Sequence, residues 1–121
     1  MQKFFLYARK STDVEDKQVL SIEAQLTELR EYAKRENIEI SAEFIEKQSA
    51  KVPGRPIFNK LLNDIEKFGG NILAWHPDRL ARNSVDGGRV IYLLDTEKLA
   101  SIKFPTFWCD STSQGKFMLN M

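Results

Sequence analysis

The feature that most constrains this chain is a repeated switch between two hydrophobic periods. Short apolar runs suited to buried strands alternate with segments whose apolar residues recur every three or four positions, as on helices lying against a sheet. Phe4-Phe5-Leu6-Tyr7 is the first run. Ser21 then caps a helix whose inner face is Ile22, Leu26, Leu29 and Ala33. Ile38, Ile40 and Ala42 alternate with Glu39, Ser41 and Glu43, and Phe44 and Ile45 extend this second strand. Pro56 opens a helix with Ile57 or Phe58, Leu61, Leu62, Ile65 and Phe68 facing inward, closed by Gly69 and Gly70. Ile72 to Trp75 predicts a short buried strand. Val90, Ile91, Leu93 and Leu94 predict a further helix, weakened in its first turn by Gly87 and Gly88. A last strand is expected from Ile102 to Trp108, pushed to the sheet edge by Pro105. Strands alternating with helices predict an α/β domain with a mostly parallel central sheet of four to five strands flanked by helices.

A chain of 121 residues is one domain, and a hydrophobic fraction of 42% with 29% charged residues is that of an ordinary globular protein. No apolar run approaches the ~20 residues a membrane span needs. The start, Met1 to Leu6, is too short and too soon polar for a secretory signal. Cys109 stands alone, which leaves no disulfide framework and no thiolate cluster for zinc, so a reducing, cytoplasmic setting is expected. Lys116 to Met121 reads as the apolar beginning of a further element, so the chain is expected to be a fragment of a longer protein.

The net charge of +1 is not the footprint of a protein that lives on nucleic acid. The distribution says more. In an open parallel sheet, active residues collect just past the carboxyl ends of the strands. The first strand empties into Arg9, Lys10, Ser11 and Thr12, the second into the loop Lys47 to Arg55, and the third into His76, Pro77, Asp78, Arg79, Leu80, Ala81 and Arg82. All three basic stretches therefore fall on one edge, which points to an anion site if they converge in space and to solvated surface if they do not. A serine hydroxyl beside several guanidiniums suits attack on a phosphate, because arginine forks bind phosphate oxygens in pairs and stabilise developing charge. No carboxylate set reads as a two-metal cluster and no Gly-rich phosphate loop is present, so neither metal nor cofactor is expected.

Each residue also has a plainer reading. Ser11 could be a loop serine. Arg79 and Arg82, three apart, share a helix face and could form a surface ion-pair stripe. Asp78 could cap a helix, which is compatible with orienting Arg79. His76, the only histidine, invites a general-base role. Gln25 falls near the inner face of the first helix and could merely bond to backbone.

Tyr7-Ala8-Arg9-Lys10-Ser11-Thr12 resembles the Tyr-x-Arg-x-Ser-Thr signature of the serine recombinases, the resolvase and invertase family. Ser21-Ile22-Glu23-Ala24-Gln25 and Asp78-Arg79-Leu80-Ala81-Arg82-Asn83 resemble the next family segments, and Arg55 sits where the family has another active-site arginine. The resemblance spans nearly the whole chain, read as one catalytic domain over residues 1–121. It implies that Ser11 attacks a DNA backbone phosphate and forms a 5′-phosphoserine link, without metal or nucleotide cofactor. By matched position, Arg9, Arg55, Arg79 and Arg82 would surround the phosphate, Asp78 would orient an arginine, Gln25 would support the nucleophile loop, and Gln25 and Tyr7 would position the substrate. It further implies homodimers that pair into tetramers in the full-length protein, with a dimerisation helix and a DNA-reading domain beyond Met121. Extra residues between Ser11 and Gln25, together with Tyr32-Ala33-Lys34 and Trp75-His76-Pro77, look more like the large serine recombinases of phages and mobile elements. Pro105 departs from the family pattern. This piece alone is expected to bind DNA weakly and without sequence choice, and no membrane. The competing functional classes are a small α/β phosphohydrolase or nucleotide-binding module, and a DNA-associated domain without catalysis.

Overall fold

The structure is a computed structural model that describes residues 3–11, 20–47, 53–105 and the backbone of 108–110. The side chains of Pro77 and Asp78 are outside that description, as are those of 108–110. So are the segment carrying Thr12, most of the loop between Lys47 and Pro53, and the terminal stretch from Lys116.

Among the described residues nine elements follow one another: β1 (Phe4–Arg9), α1 (Ile22–Arg35), β2 (Ile40–Glu46), α2 (Pro56–Phe68), β3 (Gly70–Ala74), α3 (Pro77–Leu80), α4 (Ser84–Asp95), β4 (Leu99–Lys103) and β5 (Trp108–Asp110). The strands form one sheet in the order β2, β1, β3, β4, β5. The first four are parallel and β5 runs antiparallel to β4. This is the α/β sheet the alternating periods predict.

β1 is buried along its whole length because it lies inside the sheet with helices on both faces. Its side chains alternate between two cores. Phe5 and Tyr7 join Phe58, Leu61, Leu62 and Ile65 of α2 and Val90, Leu93 and Leu94 of α4. Phe4, Leu6 and Ala8 join Leu26, Leu29 and Ala33 of α1. The period of two along a strand thus assigns α1 to one face and α2 with α4 to the other. Gly70 begins β3 with φ +150°, and a Cβ there would stand 2.7 Å from the Phe5 ring, so the start of β3 beside β1 needs a glycine.

Three expectations are corrected. The segment from Ile102 to Trp108 is not one strand: β4 stops at Lys103, Pro105 lies in the connection, and β5 turns back beside β4. Proline lacks the N–H a ladder needs, so the chain breaks there instead of continuing along the edge. Phe68, assigned to the inner face of α2, is 69% exposed, since it falls in the last turn where the helix has passed the core. Arg79 and Arg82 do not share a helix face. α3 ends at Leu80, and Asn83, extended at φ −130° and ψ 156°, starts a separate helix.

Candidate active site at the carboxyl edge of the sheet

β1, β2 and β3 are parallel neighbours, so their carboxyl ends emerge on one edge, with Arg9 opposite Glu46 and Tyr7 opposite Ala74 in register. The pairing of β1 with β3 ends at Tyr7, two residues before β1 does. Lys10 N–H donates to the Glu46 carbonyl at 3.2 Å, toward β2. Strand residues alternate in the side to which they point their N–H and C=O. Arg9 therefore turns its backbone groups toward the space β3 has vacated. Gln25, completely buried on α1, fills it. Arg9 N–H donates to Gln25 Oε1 at 3.3 Å, and Gln25 Nε2 donates to the Arg9 carbonyl at 3.0 Å. The same amide also donates to the Leu20 carbonyl at 3.0 Å, fastening the chain just before the α1 cap. A primary amide offers a donor and an acceptor side by side, so Gln25 acts as a one-residue strand.

Arg9 and Arg79 grip each other's backbone. Arg9 Nε donates to the Arg79 carbonyl at 3.0 Å, and Arg79 Nη1 donates to the Arg9 carbonyl at 3.3 Å. Both side chains are buried, at 1% and 0% exposure. Ser11 follows Arg9 by two residues, so about 7 Å of chain separates it from this clasp. Ser11 and Lys10 are half-buried. A groove of about 350 Å³ opens there, lined by Lys10, Ser11, Ser21, Ile22, Glu23 and Lys47.

Arg55 stands just before α2 and is 2% exposed. Its Nη1 donates to the Tyr7 hydroxyl at 3.0 Å, and its Nη2 to the Leu80 carbonyl at 2.7 Å and to Asp86 Oδ2 at 3.0 Å. The guanidinium lies 3.8 Å from the centre of the Phe58 ring. Tyr7 in turn donates to Glu46 Oε1 at 3.0 Å. Burial raises the Tyr7 hydroxyl pKa well above that of an ordinary phenol, against the opposing charge of Arg55, so Tyr7 is a neutral donor. Glu46 also accepts from the Phe58 amide at 2.8 Å and the Ile57 amide at 3.4 Å. A carboxylate from β2 thus caps α2, whose own cap position, Arg55, supplies no side-chain acceptor.

Of the residues singled out in the sequence, the structure brings Arg9, Gln25 and Arg79 into one hydrogen-bonded set and Tyr7 and Arg55 into another, the two meeting at the Arg79 and Leu80 carbonyls, with Ser11 on the loop that leaves them. Arg82 lies beyond α3 and is exposed. His76 is exposed just past β3. The Asp78 side chain lies outside the described residues. Three members were not anticipated: Glu46, Asp86 and Asn83. Asp86 and Asn83 carried a signal. Asn83 Oδ1 accepts from the Asp86 N–H at 2.9 Å while Asn83 Nδ2 donates to Asp86 Oδ2 at 2.8 Å, a reciprocal cap legible as Asn-x-x-Asp. Glu46 carried a weaker one, as the acidic residue at the end of a strand just before a helix start. Among the described residues, no group of three or more His, Cys, Asp or Glu side chains is placed to hold a metal ion. No helix there is long and apolar enough to cross a membrane.

A serine-bearing loop lies beside clasped, buried arginines at the carboxyl edge of a parallel sheet. Residues 4–121 match the family described as Resolvase, N terminal domain, and the chain belongs to that family. Similar solved structures agree. The N-terminal catalytic domain of TP901-1 integrase is 26% identical with a TM-score of 0.73, over 98% of this chain and 88% of that one. A resolvase family site-specific recombinase from Streptococcus pneumoniae is 25% identical with a TM-score of 0.73, over 98% and 83%. The C-terminal catalytic domain of ISC1926 TnpA, an IS607-like serine recombinase, shares the fold at 21% identity and a TM-score of 0.67, over 84% and 66%. No curated protein sequence matches the chain. The domain is thus of the site-specific recombinase type.

Proposed function

We propose that this domain cuts and rejoins DNA through a covalent bond between Ser11 and a backbone phosphate. The Ser11 Oγ–P bond forms as the P–O3′ bond breaks. The serine proton ends on the departing 3′ oxygen, leaving a free 3′ hydroxyl and a 5′-phosphoserine. Reversal by a new 3′ hydroxyl reseals the strand, and no other reactant is consumed. The observation that carries the reading is the clasp of Arg9 with Arg79, which sets the loop of Ser11 against the arginine-bearing turn after β3. Arg82, exposed on the segment that follows, faces solvent where a phosphate can reach it. In this reading Gln25 and Tyr7 position the nucleophile loop, Arg9, Arg55 and Arg79 supply the positive field, and Asp78 orients an arginine. DNA is the partner, and the longer protein works as a homodimer that pairs into a tetramer in the cytoplasm. The affinity of this domain alone is weak and indifferent to sequence.

Nicked duplexes prepared from genomic DNA of the source organism trap the covalent complex when the reaction is stopped with detergent. Ser11→Ala removes the adduct while the circular dichroism spectrum stays that of the native protein. Arg79→Ala lowers its rate on the order of 10³-fold, as for arginines that stabilise other phosphoryl transfers. An adduct of undiminished yield from Ser11→Ala rules this nucleophile out.

A further inference from the structure

The turn that carries Arg79 is short, and Leu80 at its end is anchored in the core. α3 is a single turn of four residues, and the Arg79 N–H donates to the His76 carbonyl at 2.9 Å. An isolated turn of helix does not sustain itself. Two guanidiniums bind its consecutive carbonyls instead: Arg9 binds that of Arg79 at 3.0 Å and Arg55 that of Leu80 at 2.7 Å. Arg9 is anchored by its own strand. Arg55 sits before a helix, and its guanidinium is held by Asp86 together with the Tyr7 hydroxyl and the Phe58 ring.

We propose that Asp86 is a positioning residue which, through Arg55, fixes the Arg79–Leu80 peptide run at the edge of the sheet where cleavage takes place. The proposal rests on the strand-transfer reading and extends it to a residue on another helix. Asp86 Oδ2 receives Arg55 Nη2 at 3.0 Å and Asn83 Nδ2 at 2.8 Å, so the carboxylate is held from its own helix while it aims the guanidinium. Both partners are sealed from solvent, at 1% and 0% side-chain exposure. As a stabilising device the pair is incomplete: Arg55 Nε and Asp86 Oδ1 are buried without a hydrogen-bond partner. Two charges taken out of water with hydrogen-bonding groups left unmet return little net stability. What the arrangement does provide is direction. The same Nη2 that meets Asp86 also meets the Leu80 carbonyl, so the carboxylate determines where Leu80, and Arg79 before it, come to rest.

Two variants test this, each read by amide hydrogen exchange at Arg79 and by adduct formation on the nicked duplexes. Asp86→Asn removes the charge and keeps the shape. The expected result is exchange at Arg79 faster by about tenfold or more. Cleavage at saturating DNA falls by about tenfold or more, because small misplacements of catalytic groups are costly. The DNA concentration for half-maximal rate stays within about twofold, because the exposed charges are untouched. The double variant Arg55→Met with Asp86→Leu replaces the pair by apolar side chains, a change that ordinarily leaves a fold as stable or more so. It too exposes the Arg79 amide to exchange, since the Leu80 carbonyl has lost its donor. Wild-type protection of Arg79 in either folded variant overturns the proposal, as does a lowered cleavage rate that merely tracks a lowered melting temperature. If Asp86→Asn does not fold, the double variant decides. If the wild-type protein forms no adduct, the strand-transfer reading falls, and exchange at Arg79 decides the positioning role alone.

Discussion

Replacing Gln25 by leucine tests whether its amide stands in for a strand. The substitution keeps nearly the same volume in a site of 0% exposure, so cavity and overpacking costs are small. Three hydrogen bonds disappear: Arg9 N–H to Oε1, and Nε2 to the Arg9 and Leu20 carbonyls. Their losses are unequal. The Arg9 carbonyl keeps Arg79 Nη1 at 3.3 Å, and the Leu20 carbonyl is only part-buried, so water replaces its donor. The Arg9 N–H points into the gap left by β3 and loses its bond to Gln25 Oε1. A buried donor left unpaired costs about 1–3 kcal/mol. The expected destabilisation is therefore about 2 kcal/mol, or about 1 M in the urea midpoint for a domain with an m-value near 2 kcal/mol/M. Equilibrium urea unfolding followed by circular dichroism and tryptophan fluorescence measures it. A midpoint within about 0.2 M of wild type, with unchanged m, means that Arg9 finds another acceptor and refutes the surrogate-strand argument.

The neutral Tyr7 hydroxyl predicts an alkaline limb. Its folded-state pKa is raised above the unfolded value of about 10, so its contribution is fully present below that pH and is lost as pH rises, by up to about 1.4 kcal/mol per pH unit. Tyr7→Phe flattens that limb, and ultraviolet titration of the native protein shows one of the three tyrosines ionising only on unfolding. A full three-tyrosine titration of the folded protein contradicts the burial argument. Gly70→Ala combines a φ of +150° with a Cβ 2.7 Å from the Phe5 ring and is expected to lower stability by about 2 kcal/mol or more, measured by urea melts. Phe58→Ala empties a fully buried site beneath Arg55 and costs about 3–5 kcal/mol, whereas Phe68→Ser at 69% exposure stays within about 0.5 kcal/mol of wild type. Equal losses at the two positions invalidate this assignment of the α2 inner face.

Much of the fold is legible where a single period governs a segment. β1 shows as four consecutive apolar residues because it lies inside the sheet. α1 shows through Ser21 and the spacing of Leu26, Leu29 and Ala33, each of which the structure buries. The gathering of Arg9, Arg55 and Arg79 follows from strand direction alone, since parallel neighbours must release their carboxyl ends on one edge. Less legible are events decided by a neighbour in space. Glu46 reads as one more acid in an acidic segment, yet it is 1% exposed, because α2 begins beside the end of β2 and offers two amides. Asp86 reads as a first-turn acid on a surface helix until Arg55 reaches across from α2. The break between Arg79 and Arg82 is missed because Leu80, Ala81 and Arg82 are all good helix formers, and only the cap at Asn83 restarts the backbone.

That these side chains are arginines, and not lysines, follows from the contacts they satisfy. Arg55 has to reach the Tyr7 hydroxyl, the Leu80 carbonyl and Asp86 Oδ2 from one head group while lying 3.8 Å from the Phe58 ring centre. A planar fork does both, since its donors point outward in the plane and its face remains for the ring. An ammonium offers three donors from a single point and holds its water more tightly, so burying it at 2% exposure over an aromatic costs more and returns fewer directed bonds. The same holds for the Arg9 and Arg79 clasp, in which one nitrogen of each guanidinium serves the other's backbone carbonyl and the remaining donors project from the same plane. Reaching a backbone carbonyl from a buried position is thus a task suited to a planar group, and the edge of this sheet uses it three times over.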